Sequence, residues 1–197
     1  IGQQPTGTAD PFGLRRLSIA ILHIIEDRGY SLSLSEIFTK SLALYGDRVD
    51  GSAATVDTIL SFIRLRFEND KISDGIDGRA VEAVTSVVFD DVNDCISRIN
   101  AFAAIKQDES FEVLAGSFKR VRNIVKDNNA TDVDVSLLIE KEEKDLWDTF
   151  KALEQENTSG LAEKDYLGYL KNMLVLKDPV DRFFDEVMVM AEDEKLR

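Results

Sequence analysis

Residues 117 to 129 read SFKRVRNIVKDNN and carry four basic side chains, Lys119, Arg120, Arg122 and Lys126, in a chain whose formal charge is −13. On a helix turning about 100° per residue, Phe111, Leu114, Phe118, Val121, Ile124 and Val125 fall on one side and are expected to pack inward. Lys119, Arg122, Asn123 and Lys126 fall opposite, with Arg120 at their edge and Glu112 the one acid among them. Such a stripe suits nucleic acid: its cations neutralise phosphates, and arginine or asparagine can form paired hydrogen bonds with base edges. On spacing alone, the commoner arrangement is a solvated face whose bases pair with acids on neighbouring helices.

Other residue types offer less chemistry. His23 is the only histidine, so no His-rich metal site can form, and acid or base work would also need a partner within hydrogen-bond reach. Its expected role is structural. Cys95 is the only cysteine and has no lysine, arginine or second cysteine directly next to it in DDVNDCISRI to favour a thiolate. A buried or half-buried thiol is expected, and no catalytic residue is assigned. The acid pairs Asp90/Asp91 and Glu142/Glu143 lack calcium-loop spacing, and AEDE at 191 to 194 reads the same way, so no metal ligand is assigned. Trp147 and Phe150 could stack on a base but share helical apolar spacing with Leu146 and Leu153, which assigns them to a core. The glycines form no phosphate-cradling loop.

The elements that would position these residues are helical, since apolar residues recur at three and four positions almost everywhere. A first helix is announced by Asp10 as cap, Pro11 at the first position and Gly29 past the end, with Leu14, Leu17, Ile21, Ile24 and Ile25 on its core face. Ser33 or Ser35 caps a second helix to Tyr45, and a third runs from about Ala54 to Asn69. Beyond the turn residues of NDKISDGIDG, helices are expected near 79–88, 90–105, 109–127, 136–155, 163–176 and from Pro179 onward, with Asp178 capping the last. Val180, Phe183, Phe184, Val187 and Met188 share one face of it. The fold class is therefore all-α, a helical bundle of about eight or nine helices in one or two subdomains. The NDKISDGIDG turn is the expected boundary, dividing residues 1–69 from 70–197.

At 197 residues, 44% hydrophobic and 31% charged, with three prolines, the chain is long enough and apolar enough to fold around a real core. No run of about 18 apolar residues occurs, so no membrane partner is expected. The lone cysteine allows no intrachain disulfide, which fits a reducing, cytoplasmic setting. The start at Ile1 and the helical pattern at the last residues read as an excised fragment.

Four segments in order, GQQPTGTADPFGLRR, LALYGDRV with FIRLRF, KRVRNIV, and DPVDRFFDEVMVMAEDEKLR, closely resemble the C-terminal part of the bacterial glycyl-tRNA synthetase beta subunit. The resemblance implies a class II aminoacyl-tRNA synthetase assembled as an alpha2beta2 heterotetramer, in which the alpha subunit carries the glycine site with its ATP and Mg and beta mainly binds tRNA. It implies that residues 1–69 are a helical linker region following an upstream hydrolase-like domain. Residues 70–197 would be an anticodon-binding bundle similar to that of arginyl-tRNA synthetase, truncated at its C-terminus. The implied partners are tRNA(Gly) and the alpha subunit, with no DNA, and the fragment itself would hold no cofactor.

Lys119, Arg120, Val121, Asn123 and Ile124 occupy the family's Lys-Arg-Val-x-Asn-Ile pattern, and Phe62 with Arg66 its Phe-x-x-x-Arg-Phe segment. The implied tRNA-binding residues are then Lys119, Arg120, Asn123 and Arg66; the wheel adds Lys126 and also Arg122, which stands at the pattern's variable position. Phe183, Phe184, Asp185, Met188 and Met190 match the C-terminal pattern and are assigned to packing. The family continues past Arg197 with further basic helix. A helical protein-interaction or assembly module without RNA contact is the alternative reading of the same basic face.

Overall fold

A computed structural model describes residues 5, 9–126 and 132–188. Among them are nine α-helices and no β-strand, the all-α architecture that the apolar spacing requires. The helices are α1 (Leu14–Arg28), α2 (Leu34–Ala43), α3 (Ala53–Ser73), α4 (Gly78–Thr85), α5 (Val92–Ile105), α6 (Glu109–Val125), α7 (Lys141–Ala162), α8 (Tyr166–Met173) and α9 (Lys177–Glu186). The chain divides into two compact units, Ile1–Asn100 and Ala101–Arg197. The expected break near residue 70 is instead a tight turn inside the first unit: α3 continues to Ser73, Gly75 takes φ +92°, and α4 folds back onto α3.

In the first unit the cap of α1 differs from expectation. Gly13, at φ +65°, is its N-cap, and Asp10 reaches past it to accept hydrogen bonds from Leu14 N at 2.8 Å and Arg15 N at 3.1 Å. The carboxylate still satisfies two of the free amides at the helix start, but from a turn closed by Gly13 N to Asp10 O. Gly29, at φ +63°, ends the helix as expected, with its amide on Glu26 O and that of Tyr30 on Ile25 O.

The buried side of α1 is Ser18, Leu22 and Ile25, which leaves Leu17, Ile21 and Ile24 exposed, contrary to the expected core face. The helix is rolled toward α3, with which Glu26 and His23 make polar contacts. The unit's core joins Leu22 and Ile25 to Leu34, Ile63, Phe67, Val81, Phe89, Val92, Cys95 and Ile99, and the rings of Phe67 and Phe89 meet 5.1 Å apart.

Polar side chains lock these helices together. Lys71, with only 6% of its side chain exposed, donates to Glu26 Oε2 at 2.6 Å and has Asp74 and Asp70 at 3.6 and 3.7 Å. Thr85 Oγ1 donates to Glu68 at 2.7 Å. Asn93 Nδ2 donates to the carbonyls of Ile25 and Tyr30, both at 2.9 Å, tying α5 to the end of α1. Asn93→Ala is expected to lower the stability of this unit by about 1–2 kcal/mol, because two carbonyls lose a donor; urea unfolding followed by circular dichroism measures it.

The second unit has a thinner core, in which Leu114, Leu153, Leu176 and Val180 are buried with Val121, Leu146, Met173, Leu174 and Phe184 packed around them. A 3₁₀ turn at Leu174–Leu176 runs directly into α9, so Asp178 caps nothing and pairs instead with Lys177 at 3.1 Å. The helix ends at Glu186, and Met188, expected on the packed face, lies beyond it and exposed. Met190 falls outside the described residues.

Candidate nucleic-acid interface

The sequence of α6 fixes both its start and its orientation. Asp108 accepts from Ser110 N at 2.9 Å, and Glu109 and Glu112 place negative charge at the positive end of the helix. The inward strip is Leu114, Ser117 and Val121, narrower than the one expected. Phe118, Ile124 and Val125, assigned inward from the wheel, are exposed. The cause is Ser117, whose Oγ donates to Asp181 Oδ1 of α9 at 2.8 Å and so turns the polar side of that helical turn toward α9.

That rotation decides what each base can do. Arg120 lies on the edge nearest α9, and its guanidinium carbon sits 4.2 Å from the centre of the Phe184 ring. Its cation is engaged in packing. Lys119, Arg122 and Asn123 are exposed on the opposite arc, about 80° to 180° around from Leu114. Lys126 is exposed just past the helix end, where its backbone takes φ +47° and its amide still reaches Arg122 O at 2.9 Å.

Some basic side chains elsewhere find acids: Arg98 meets Asp94 at 2.9 Å, Lys177 meets Asp178, and Arg182 reaches Asp145 at 4.0 Å. Lys119, Arg122, Asn123 and Lys126 have no side-chain hydrogen bond or ion pair with any described residue. The expected pairing with acids of neighbouring helices therefore does not occur among the described residues, and three cations stand open to a ligand. Sequence reasoning missed Phe118, which lies exposed between the inward strip and Arg122. The clue was an apolar arc on α6 wider than one neighbour can cover.

The contrast between Arg120 and Lys119 can be measured. Arg120→Ala is expected to cost about 1 kcal/mol of stability through the lost stacking. Lys119→Ala should leave thermal unfolding unchanged, since that ammonium has no hydrogen-bond or ion-pair partner among the described residues.

Arg66 belongs to the first unit, on α3, whereas Lys119, Arg120, Arg122, Asn123 and Lys126 belong to the second. It donates from Nη1 to Phe62 O at 3.3 Å and stacks 4.0 Å over the Phe62 ring one turn back, so this pair forms a half-buried cation and aromatic surface of its own.

His23 Nε2 lies 3.0 Å from Asp70 and bridges α1 to α3. Cys95 is buried, and burial pushes its thiol up to about 11, far from a reactive thiolate. Asp90 accepts from Ser35 N at 2.7 Å at the start of α2, and Asp91 accepts from Asp94 N at 3.0 Å. Burial works against the Asp90 carboxylate, but hydrogen bonds from Ser35 and Ser33 outweigh it and hold its pKa below the ordinary value. Glu143 accepts from Ile139 N and Glu140 N before α7.

Among the described residues no group of three His, Cys, Asp or Glu side chains could hold a metal, and no helix is long and apolar enough to cross a membrane. Residues 191–194 lie outside the described residues. Trp147 and Phe150 are a partial correction: Leu146 and Leu153 do pack on the core, but Phe150 is 46% exposed and stacks on half-buried Trp147 at 6.4 Å, beside Lys151.

Comparison with known proteins adds a second kind of observation. The family profile described as glycyl-tRNA synthetase beta subunit matches residues 1–86. The glycine–tRNA ligase beta subunit of Syntrophotalea carbinolica is 41% identical over 198 aligned residues, covering all of this chain and 29% of the relative. That of Geobacter sulfurreducens is 43% identical over 193 residues, covering 98% of this chain and 28% of the relative. The Citrifermentans bemidjiense protein of the same name is 40% identical over 198 residues. The chain thus spans less than a third of the length of the relatives it matches.

Proposed function

We propose that this chain is part of a glycine–tRNA ligase beta subunit and that its second unit holds tRNA(Gly) through the outer face of α6. On this reading Lys119, Arg122 and Lys126 contact phosphates, and Asn123 and Phe118 are placed to meet the edges and faces of unstacked loop bases. Arg120 supports the helix from behind by stacking on Phe184. The observation that carries the proposal is the set of three cations, on α6 and at its end, without partners among the described residues, in a −13 chain that aligns along its own whole length with part of proteins of that name.

The anticodon loop is one part of tRNA that offers such unstacked bases, and anticodon recognition is the finer form of the proposal. The second unit would supply it, with the first unit linking to the upstream part of the subunit and Arg66 serving as an outlying contact. Glycine, ATP and magnesium belong on this reading to the alpha subunit of the heterotetramer. The acidic remainder of the chain repels RNA elsewhere and so favours the one basic face over non-specific contact.

The exposed apolar residues Ile124 and Val125 favour the alternative, an assembly surface for an acidic partner protein. Glycylation by the full heterotetramer separates the two. With Lys119→Glu/Arg122→Glu in the beta subunit, the KM for tRNA should rise while glycine-dependent ATP–pyrophosphate exchange stays at the wild-type rate. Loss of the heterotetramer in size-exclusion chromatography, with exchange lost alongside, would support the assembly surface instead.

A further inference from the structure

On α1 the apolar arc extends well beyond what the first unit covers. At about 100° per residue, Leu14, Leu17, Ile21, Leu22, Ile24 and Ile25 span about 160° of the helix. The half nearest α3 is buried. The other half, Leu17, Ile21 and Ile24 at i, i+4 and i+7, is 55%, 44% and 57% exposed. That spacing forms a single row along two turns, and α1 is held rigidly beneath it by the Gly29 turn, the Asn93 bonds and the His23 and Glu26 contacts to α3. A row of large aliphatic side chains on a fixed helix suits another apolar protein surface and offers phosphates or bases nothing to bind.

We propose that this row is the docking surface for a part of the same polypeptide outside these 197 residues. The inference rests on the reading of the chain as a portion of a beta subunit. The relatives extend over more than twice as much again as the chain covers, since it spans 29% of their length. A tethered segment acts at an effective concentration in the millimolar range, far above that of a free partner. A second copy is disfavoured, because each copy carries a formal charge of −13 and the two would repel. The contact would fix α1, and through it the first unit, relative to the rest of the subunit.

A photo-crosslinking residue placed at Ile21 or Ile24 in the full-length beta subunit, with Arg16 on another face of α1 as control, tests this after mass spectrometric mapping. The expected result is a crosslink from Ile21 and Ile24, several-fold above that from Arg16, to a peptide of the same polypeptide outside residues 1–197. A peptide from residues 101–197, from an isotopically distinct second copy, or from the alpha subunit overturns the proposal, as does no crosslink above the control. The readout involves no RNA. Failure of tRNA binding together with an intrachain crosslink would reject the RNA reading and leave this contact standing.

Discussion

Lys119→Glu/Arg122→Glu is expected to weaken binding of tRNA(Gly) about 100-fold at 0.1 M salt. Each side chain is exposed and without a described partner, so neither substitution removes a contact that holds the fold. A charge-assisted hydrogen bond to phosphate contributes about 1.5 kcal/mol, and losing two gives about 3 kcal/mol, which corresponds to roughly two orders of magnitude in Kd. The salt dependence should change with it. Two fewer phosphate contacts lower the slope of log K against log salt by about 1.4 to 1.8. A loss of affinity with an unchanged slope would mean that the two residues act by shaping the helix and not by meeting phosphates.

Lys71→Ala is expected to destabilise the first unit by about 3 kcal/mol, the typical cost of breaking a buried ion pair by removing one partner. Lys71 is nearly inaccessible, and without its ammonium Glu26, Asp70 and Asp74 would face one another uncompensated. The pH dependence follows from the direction of its pKa. Burial lowers it, but the hydrogen bond from Lys71 to Glu26 and the charges of Glu26, Asp70 and Asp74 together outweigh burial and raise it above the ordinary value of 10.5.

A lysine raised in the folded state contributes stability that is complete below its unfolded pKa and is lost as pH rises through the folded one. The wild-type unit should therefore lose this contribution only above about pH 10.5. Lys71→Met should lack that alkaline loss while being destabilised at neutral pH. Asp90 acts on the acid side, where its contribution is present above the ordinary value of 3.8 and lost as pH falls below it. Urea unfolding between pH 3 and 11, with each variant beside the wild type, reads both arms.

Helix number and type were legible in the sequence because the 3.6-residue period runs through most of the chain, and glycines and serines mark several ends. Gly29 closes α1 and Ser33 caps α2 as their types suggest. Helix facing was less legible. Leu17, Ile21 and Ile24 are as apolar as the residues that α1 buries, and periodicity cannot say which part of a wide apolar arc a neighbour covers.

The same ambiguity rolled α6. A hydroxyl at Ser117 found Asp181, 64 residues away, and no local pattern encodes that pair. The basic face was legible as a stripe, but the difference between Arg120, held on Phe184, and Lys119, left open, depends on α9 and emerged only with tertiary structure. The cap at Asp178 failed for a related reason: a 3₁₀ turn carries the backbone into α9 in helical geometry and leaves no free start to cap.

The most direct test of the central claim is equilibrium binding of the full-length beta subunit to a tRNA(Gly) transcript and to the same transcript with its anticodon replaced, at 50 and 200 mM salt. Lys119→Glu/Arg122→Glu is measured in parallel. Tighter binding to the glycine anticodon, weakening with salt and lost in the double variant, is the predicted result. Equal affinity for both transcripts, or wild-type affinity in the variant, would contradict the assignment of anticodon recognition to the outer face of α6.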